Sequence, residues 1–446
     1  MDAIETDDTP LLPRLPLLLE AHKGDWVSAA REIVNLASVL RSPVDECLAA
    51  AAALEEAMLN NDDLPSAEVL FALRGVQNHL SSPSGASADA RLAERNINAV
   101  RPALREGSST LSCALACSLL PAWAAALPLG PHWASQVRVV LRNLLAVQHT
   151  ASGVAAVAVL NALVAVIRNM AASNPRSVQG DPLSVSAVAA HVAASLEATT
   201  NASADVMLGV SAGLGAASLL REVPHLDEPS CARMLLALAQ CVDAAAAAAA
   251  ADATAAEAVR AAWTAQETPE SVELVFATPD DDEALMAACA ACSAALPALV
   301  GSAWRYALAN APAASLELTR ALLACVGQGE HAGAPRLSPD CGGAPLAFLS
   351  DEARLAASML LSQFCETAAA ATAASSSPDA VKVAIAPMDH DVPSTPLGKI
   401  SGGGHANAYE SPLTTSRATV VPLVEEFAAV RGVRPPSGIV LPLPTA

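Results

Sequence analysis

Residues 136–168 read QVRVVLRNLLAVQHTASGVAAVAVLNALVAVIR, and this stretch decides the fold class. Val137, Val140, Leu141, Leu144 and Leu145 fall at i, i+3, i+4, i+7 and i+8, while Gln136, Arg138, Arg142 and Asn143 take the opposite side. That is the period of an amphipathic helix with one apolar stripe. After a break at Ser152 and Gly153 the pattern resumes in Val157, Leu160, Leu163, Val164 and Ile167. Two such helices joined by a short loop predict an antiparallel helical hairpin.

Similar signals run outward in both directions. Towards the N-terminus, Thr110–Leu127 is apolar all round, which predicts a buried inner helix. A further helix is expected over about 88–105, and another from Ser66, with Val69, Leu70, Leu73, Val76 and Leu80 on its inner face. Ser42 reads as an N-cap, Pro43 as a first helical residue, and Asp45 and Glu46 as first-turn acids, ahead of the apolar Val44, Cys47, Leu48, Leu54 and Met58. Asp25 to Leu40 is helix-like, helical signals begin near Pro16, and residues 1–14 read as a tail.

Towards the C-terminus, helices are expected at 185–200, 204–222 and 231–242. The alanine run 244–251 lengthens the last of these, to about Gln266. Asp280 to Glu283 place acids at the start of a helix over 284–296, and helices 298–310 and 314–327 follow. After a Gly/Pro-rich loop, Ser350 with Asp351 and Glu352 opens a final helix that ends near Thr372. Beyond it Ser, Pro, Gly and Thr dominate, and apolar periodicity returns only at Val420–Val430. The expected organisation is a tail over 1–14, a helical-repeat domain over 15–375, and a disordered tail over 376–446 with a short helix at 420–430. Successive hairpins recur every ~40 residues, which predicts an all-α fold, an α-solenoid of HEAT/armadillo-like helical hairpins.

Composition agrees. The chain has 446 residues; 53% are hydrophobic but only 3% aromatic, and alanine supplies much of the difference. Alanine favours helices and lets them approach closely. The formal net charge of −20 argues against a direct nucleic-acid role and suits basic protein partners. The ten cysteines lie mostly inside apolar stretches, such as Cys113, Cys117, Cys231 and Cys241, and read as small core residues of a reducing compartment. The acidic start MDAIETDD lacks the pattern of a signal peptide, so cytoplasm or nucleus is the expected location. Two uncharged stretches, Thr110–Leu127 and Ala284–Trp304, also admit a multi-pass membrane reading, against which stand their alanines, prolines and lack of basic flanks.

Chemistry finds no foothold in the sequence. Cys289 and Cys292 form the one CxxC, with no second ligand pair for a structural zinc site. The nine histidines are scattered, and no phosphate loop or nucleophile elbow occurs. No catalytic, cofactor or metal residue is assigned, and no enzyme is expected. Gly209, Gly213 and Gly215 lie in a helical run and are expected to permit close packing. Thr395 and Ser411, each followed by proline in the tail, are candidate phosphorylation sites. A non-transport scaffold acting through the tail motif at 420–430 is a further functional expectation.

One segment carries a resemblance. Glu68-Val-Leu-Phe-Ala-Leu-Arg-Gly-Val-Gln-Asn-His-Leu80 is similar to the second-repeat helix of the importin-β superfamily of nuclear transport receptors, nearest the transportin-SR type. The order that follows also resembles the family: a helix at 88–105, the apolar helix 110–127, and the loop Pro131-His132-Trp133. Asp280 to Trp304 and Leu316 to Val326 look like later repeats. The family's basic helix end is reduced here to Arg74. The resemblance implies an α-solenoid that binds a Ran-like small GTPase and basic cargo, with Glu68, Phe71, Arg74 and Gln77 nearest the binding surface.

Overall fold

A computed structural model describes residues 10–80, 85–105, 107–127, 133–173, 182–200, 206–223, 226–251, 283–326 and 349–375. Among them every regular element is helical and no strand occurs. The helices are α1 (Leu11–Ala21), α2 (Trp26–Leu40), α3 (Val44–Leu59), α4 (Ala67–Leu73), α5 (Gln77–Leu80), α6 (Gly85–Ala99), α7 (Thr110–Ala126), α8 (Trp133–Val147) and α9 (Gly153–Ser173). They continue with α10 (Pro182–Ala198), α11 (Val206–Glu222), α12 (Glu228–Ala251), α13 (Glu283–Leu299), α14 (Ser302–Asn310), α15 (Pro312–Val326) and α16 (Asp351–Ser375).

The helices fall into two rows. One row runs α1, α3, α7, α9, α11, α13, α16, each packed on the next; the other includes α8, α10, α12 and α15 in the same relation. Sequence neighbours such as α8 and α9, or α10 and α11, bridge the rows. Among the described residues, no extensive packing joins α1–α6 to α9 or to any later helix. The core is therefore a continuous apolar strip between the rows, running along the chain order.

Local chemistry explains several helix starts. The Asp25 carboxylate accepts from the Ser28 amide at 3.1 Å and caps α2. The Ser66 hydroxyl accepts from the Val69 amide and starts α4, and Ser350 does the same for the Ala353 amide in α16. The expected cap at Ser42 is not formed. Helix α3 begins one residue later than expected, with Pro43 extended at the N-cap and Val44 first in the helix. The Ser42 hydroxyl is buried with no partner, while that residue's carbonyl lies 3.2 Å from His79 Nε2. Asp45 and Glu46 do occupy the first turn.

Other boundaries move for physical reasons. Helix α1 opens at Leu11, inside the stretch 1–14 expected to be a tail, because Leu11, Leu15 and Leu18 bury one stripe against α2 and α3. The helix expected over 88–105 spans Gly85–Ala99 and gives way to a 3-10 turn at Arg101–Leu104, where Pro102 supplies no amide hydrogen. Helices α13 and α14 meet at a 94° bend at Gly301, whose φ of +94° favours glycine. Asp280, the chain from 252 to Gln266, Thr395, Ser411 and the segment 420–430 lie outside the described residues.

Small residues set the tightest contacts. A β-carbon on Gly209 would lie 2.7 Å from the Ala287 carbonyl oxygen, and one on Gly213 would collide with that of Ala291. Gly215 faces Val164 of α9 at 3.1 Å in the same sense. The expected close packing is thus realised, with α11 held between α9 and α13. Helix α7 is the expected inner helix: Leu111 to Cys117, Leu119, Leu120, Trp123 and Ala124 are buried.

Candidate functional site

The four residues singled out for partner binding lie on and just beyond α4. Val69 and Leu73, with Val76 and Leu80 after them, are buried at 0–6% exposure and press the segment onto the core. The outward positions are Glu68, Phe71 and Arg74, all exposed, so the helix brings these three to one face at i, i+3 and i+6. Phe71 is 77% exposed, against 0% for Phe364 in the core. Gln77 departs from the group: it follows a 3-10 turn at Arg74–Val76 and is half-buried, with its own contact.

That turn lies against the neighbouring helix. A β-carbon on Gly75 would come within 2.9 Å of Val34 Cγ1 on α2, so the backbone of α4 sits directly on α2. Two polar ties fix the ends of the segment. The Trp26 indole N–H donates to Asp63 Oδ2 at 2.6 Å, holding the α3–α4 loop against the start of α2. His79 Nε2 lies 3.2 Å from the Ser42 carbonyl, where it donates, and Cys47 Sγ stands 3.9 Å from the same ring nitrogen. Burial lowers the His79 pKa below 6.5, the bond to Ser42 opposing that shift. A neutral imidazole here serves as a fastening.

Two further exposed apolar residues precede α4 in the chain and were not singled out from the sequence. Leu59 ends α3 at 50% exposure, and Leu64 in the α3–α4 loop is 77% exposed. Between them Asp62 takes a left-handed conformation with φ +60°. The signal for them was present: two leucines bracket the polar run Asn60 to Asp63, where nothing could bury them. The segment 59–74 therefore carries exposed apolar side chains at 59, 64 and 71, with carboxylates at Asp62 and Glu68 and a cation at Arg74.

Behind it, Glu55 is buried and accepts from the Leu111 amide at 2.7 Å and from the Ser109 hydroxyl. A carboxylate of α3 thus satisfies the first turn of α7 and complements its dipole. The surface stands on a braced support.

Elsewhere the ionisable groups read as core. Burial pushes the thiols of Cys47 and Cys231 up to about 12 and that of Cys241 to about 11, which keeps them protonated and inert. Cys113 and Cys117 are buried one turn apart, and Cys289 and Cys292 are buried on α13. Among the described residues no group of three or more His, Cys, Asp and Glu is placed to hold a metal. One described helix, α9, is long and apolar enough to cross a membrane, and 61% of its most apolar stretch is buried inside the protein. The two stretches singled out for a membrane reading differ: Thr110–Ala126 has 17 residues, and the second turns through 94° at Gly301.

No family model matches the chain, and no curated protein or solved structure matches it. The likeness to nuclear transport receptors rests on the residues quoted for it.

Proposed function

We propose that this chain is an α-solenoid protein-binding module of the cytoplasm and nucleus, a divergent relative of nuclear transport receptors. In this proposal a Ran-like small GTPase or a basic cargo protein docks on the α4 face. The observation that carries the proposal is the exposure of Phe71 between Glu68 and Arg74 on a helix whose other side is fastened to α2. A large aromatic side chain left 77% in water on a braced helix is a ready anchor for a partner. The two-row packing, confined to near neighbours, supports the solenoid, and stacked hairpins offer extended surfaces of this kind. The net charge of −20 supports a basic partner.

The test is a pull-down of the full chain with Ran loaded with GTP or GDP, in parallel with a basic cargo peptide. GTP-selective capture supports the receptor proposal, and Phe71→Ala should weaken it at least ten-fold, about 1.4 kcal/mol or more. Capture of the peptide alone, also lost in Phe71→Ala, keeps the binding face and removes the GTPase. Binding of neither, or binding indifferent to Phe71, overturns it.

A further inference from the structure

Helix α16 is the last described helix of its row, and its extensive contacts, to α13, α14 and α15, bury one side only. Leu360, Leu361 and Phe364 face inward, and the Trp304 indole N–H donates to the Leu360 carbonyl at 2.9 Å. The other side carries Glu352, Leu355, Met359 and Ser362, all exposed, with Leu355 at 40% and Met359 at 43%. These positions repeat at i, i+3, i+7 and i+10, so they form a straight stripe with two apolar side chains in the middle and a carboxylate at its N-terminal end. A rise of 1.5 Å per residue gives the stripe a length of about 15 Å.

After Ser375 the chain has 71 further residues. They contain one apolar-periodic segment, Val420-Val-Pro-Leu-Val-Glu-Glu-Phe-Ala-Ala-Val-Arg431. As a helix starting with Pro422 in its first turn, it would place Leu423, Val424, Phe427 and Val430 on one side, Arg431 at the end of that side, and Glu425 and Glu426 away from it. Its ten residues from 422 to 431 would also span about 15 Å.

We propose that segment 422–431 folds onto the outer stripe of α16 as an antiparallel capping helix, in cis. Phe427 covers Leu355 and Met359, and the antiparallel direction brings Arg431 to Glu352. The 46 residues from 376 to 421 permit this geometry. A flexible linker of that length has an end-to-end distance of roughly 35–40 Å, and in the antiparallel seating it need only return from Ser375 to the Ser362 end of the stripe, about 20 Å along the helix axis. A linker that reaches across the span gives an effective concentration in the mM range, so a weak contact suffices. An end helix with a partly apolar outer face also needs a cover for solubility.

Hydrogen–deuterium exchange on the full chain tests this at two protein concentrations. The proposal expects amides of 423–431 to exchange roughly ten-fold more slowly than an isolated peptide of that sequence, equally at both concentrations. Phe427→Asp should abolish that protection and raise exchange at 352–363 as well. Met359→Asp should release 423–431 while α13 stays protected. Exchange of 423–431 at the peptide rate overturns the proposal. So does protection that grows with protein concentration, which would mean a second copy as the occupant. Protection of 423–431 that is unmoved by Met359→Asp overturns it too.

Discussion

At the scale of single residues, what a side chain does is set by the atoms the fold brings to it. Ser66 and Ser350 were legible as caps, because a cap needs only its own first turn. Ser42 had the same local signature and is not a cap, because α3 starts at Val44 and puts Pro43 at the N-cap; its carbonyl instead meets His79, 37 residues away. Burial of the same histidine also sets a pH response, which the bond to Ser42 opposes. Burial lowers the pKa of His79 below 6.5, and burial followed by the nearby His149 lowers that of His191. The unfolded chain then binds more protons than the native one in this range, so stability rises with pH. The native state should hold constant stability above about pH 6.5 and lose it progressively as the pH falls through the two lowered values. Thermal melts between pH 5 and 8 should show this slope, and His79→Gln, whose amide can still donate to Ser42, should flatten it. A slope unchanged in both His79→Gln and His191→Gln would mean that other groups carry the response.

At the scale of elements, existence was readable and boundaries were not. Periodic leucines and valines announced α8 and α9, and uniform apolarity announced α7. The break between α4 and α5 was not readable from the apolar periodicity, which runs through it unbroken in Val69, Leu73, Val76 and Leu80. Gly75 lies where any side chain would strike Val34 Cγ1 at 2.9 Å, and a 3-10 turn follows Leu73 there. The same turn half-buries Gln77 and leaves Glu68, Phe71 and Arg74 as the outward trio, so part of the candidate surface was legible only from the tertiary contact. Gly75→Ala should therefore destabilise the protein by about 1–3 kcal/mol, even though alanine is the better helix former. Val34→Ala alone should cost about 1–3 kcal/mol for its lost burial. The double variant should be markedly more stable than the sum of the two losses, because removal of the Val34 methyls makes room for the new one. Denaturant titrations of the four proteins measure the coupling, and strict additivity would refute the contact as the cause.

At the scale of the whole molecule, the row pattern predicts how damage spreads. Among the described glycines Gly213 has the least room: a β-carbon there would strike the Ala291 carbonyl of α13, where no side chain can swing aside. Gly213→Ala must push α11 and α13 apart, at a cost of about 1–3 kcal/mol. In a single globular core that loss would be shared by every element. Here α1–α6 have no extensive packing with α11 or α13, and the link runs through α7 and α9. In the proposed solenoid, stability is close to a sum of local units and their neighbour interfaces. Amide exchange in α11 and α13 should then rise about 5- to 150-fold in Gly213→Ala, with smaller increases in α9, α12 and α16. Protected amides of α2 and α3 should exchange at their unmodified rates. An equal increase from α2 to α16 would instead show one cooperative unit, and the solenoid proposal would give way to a closed helical bundle.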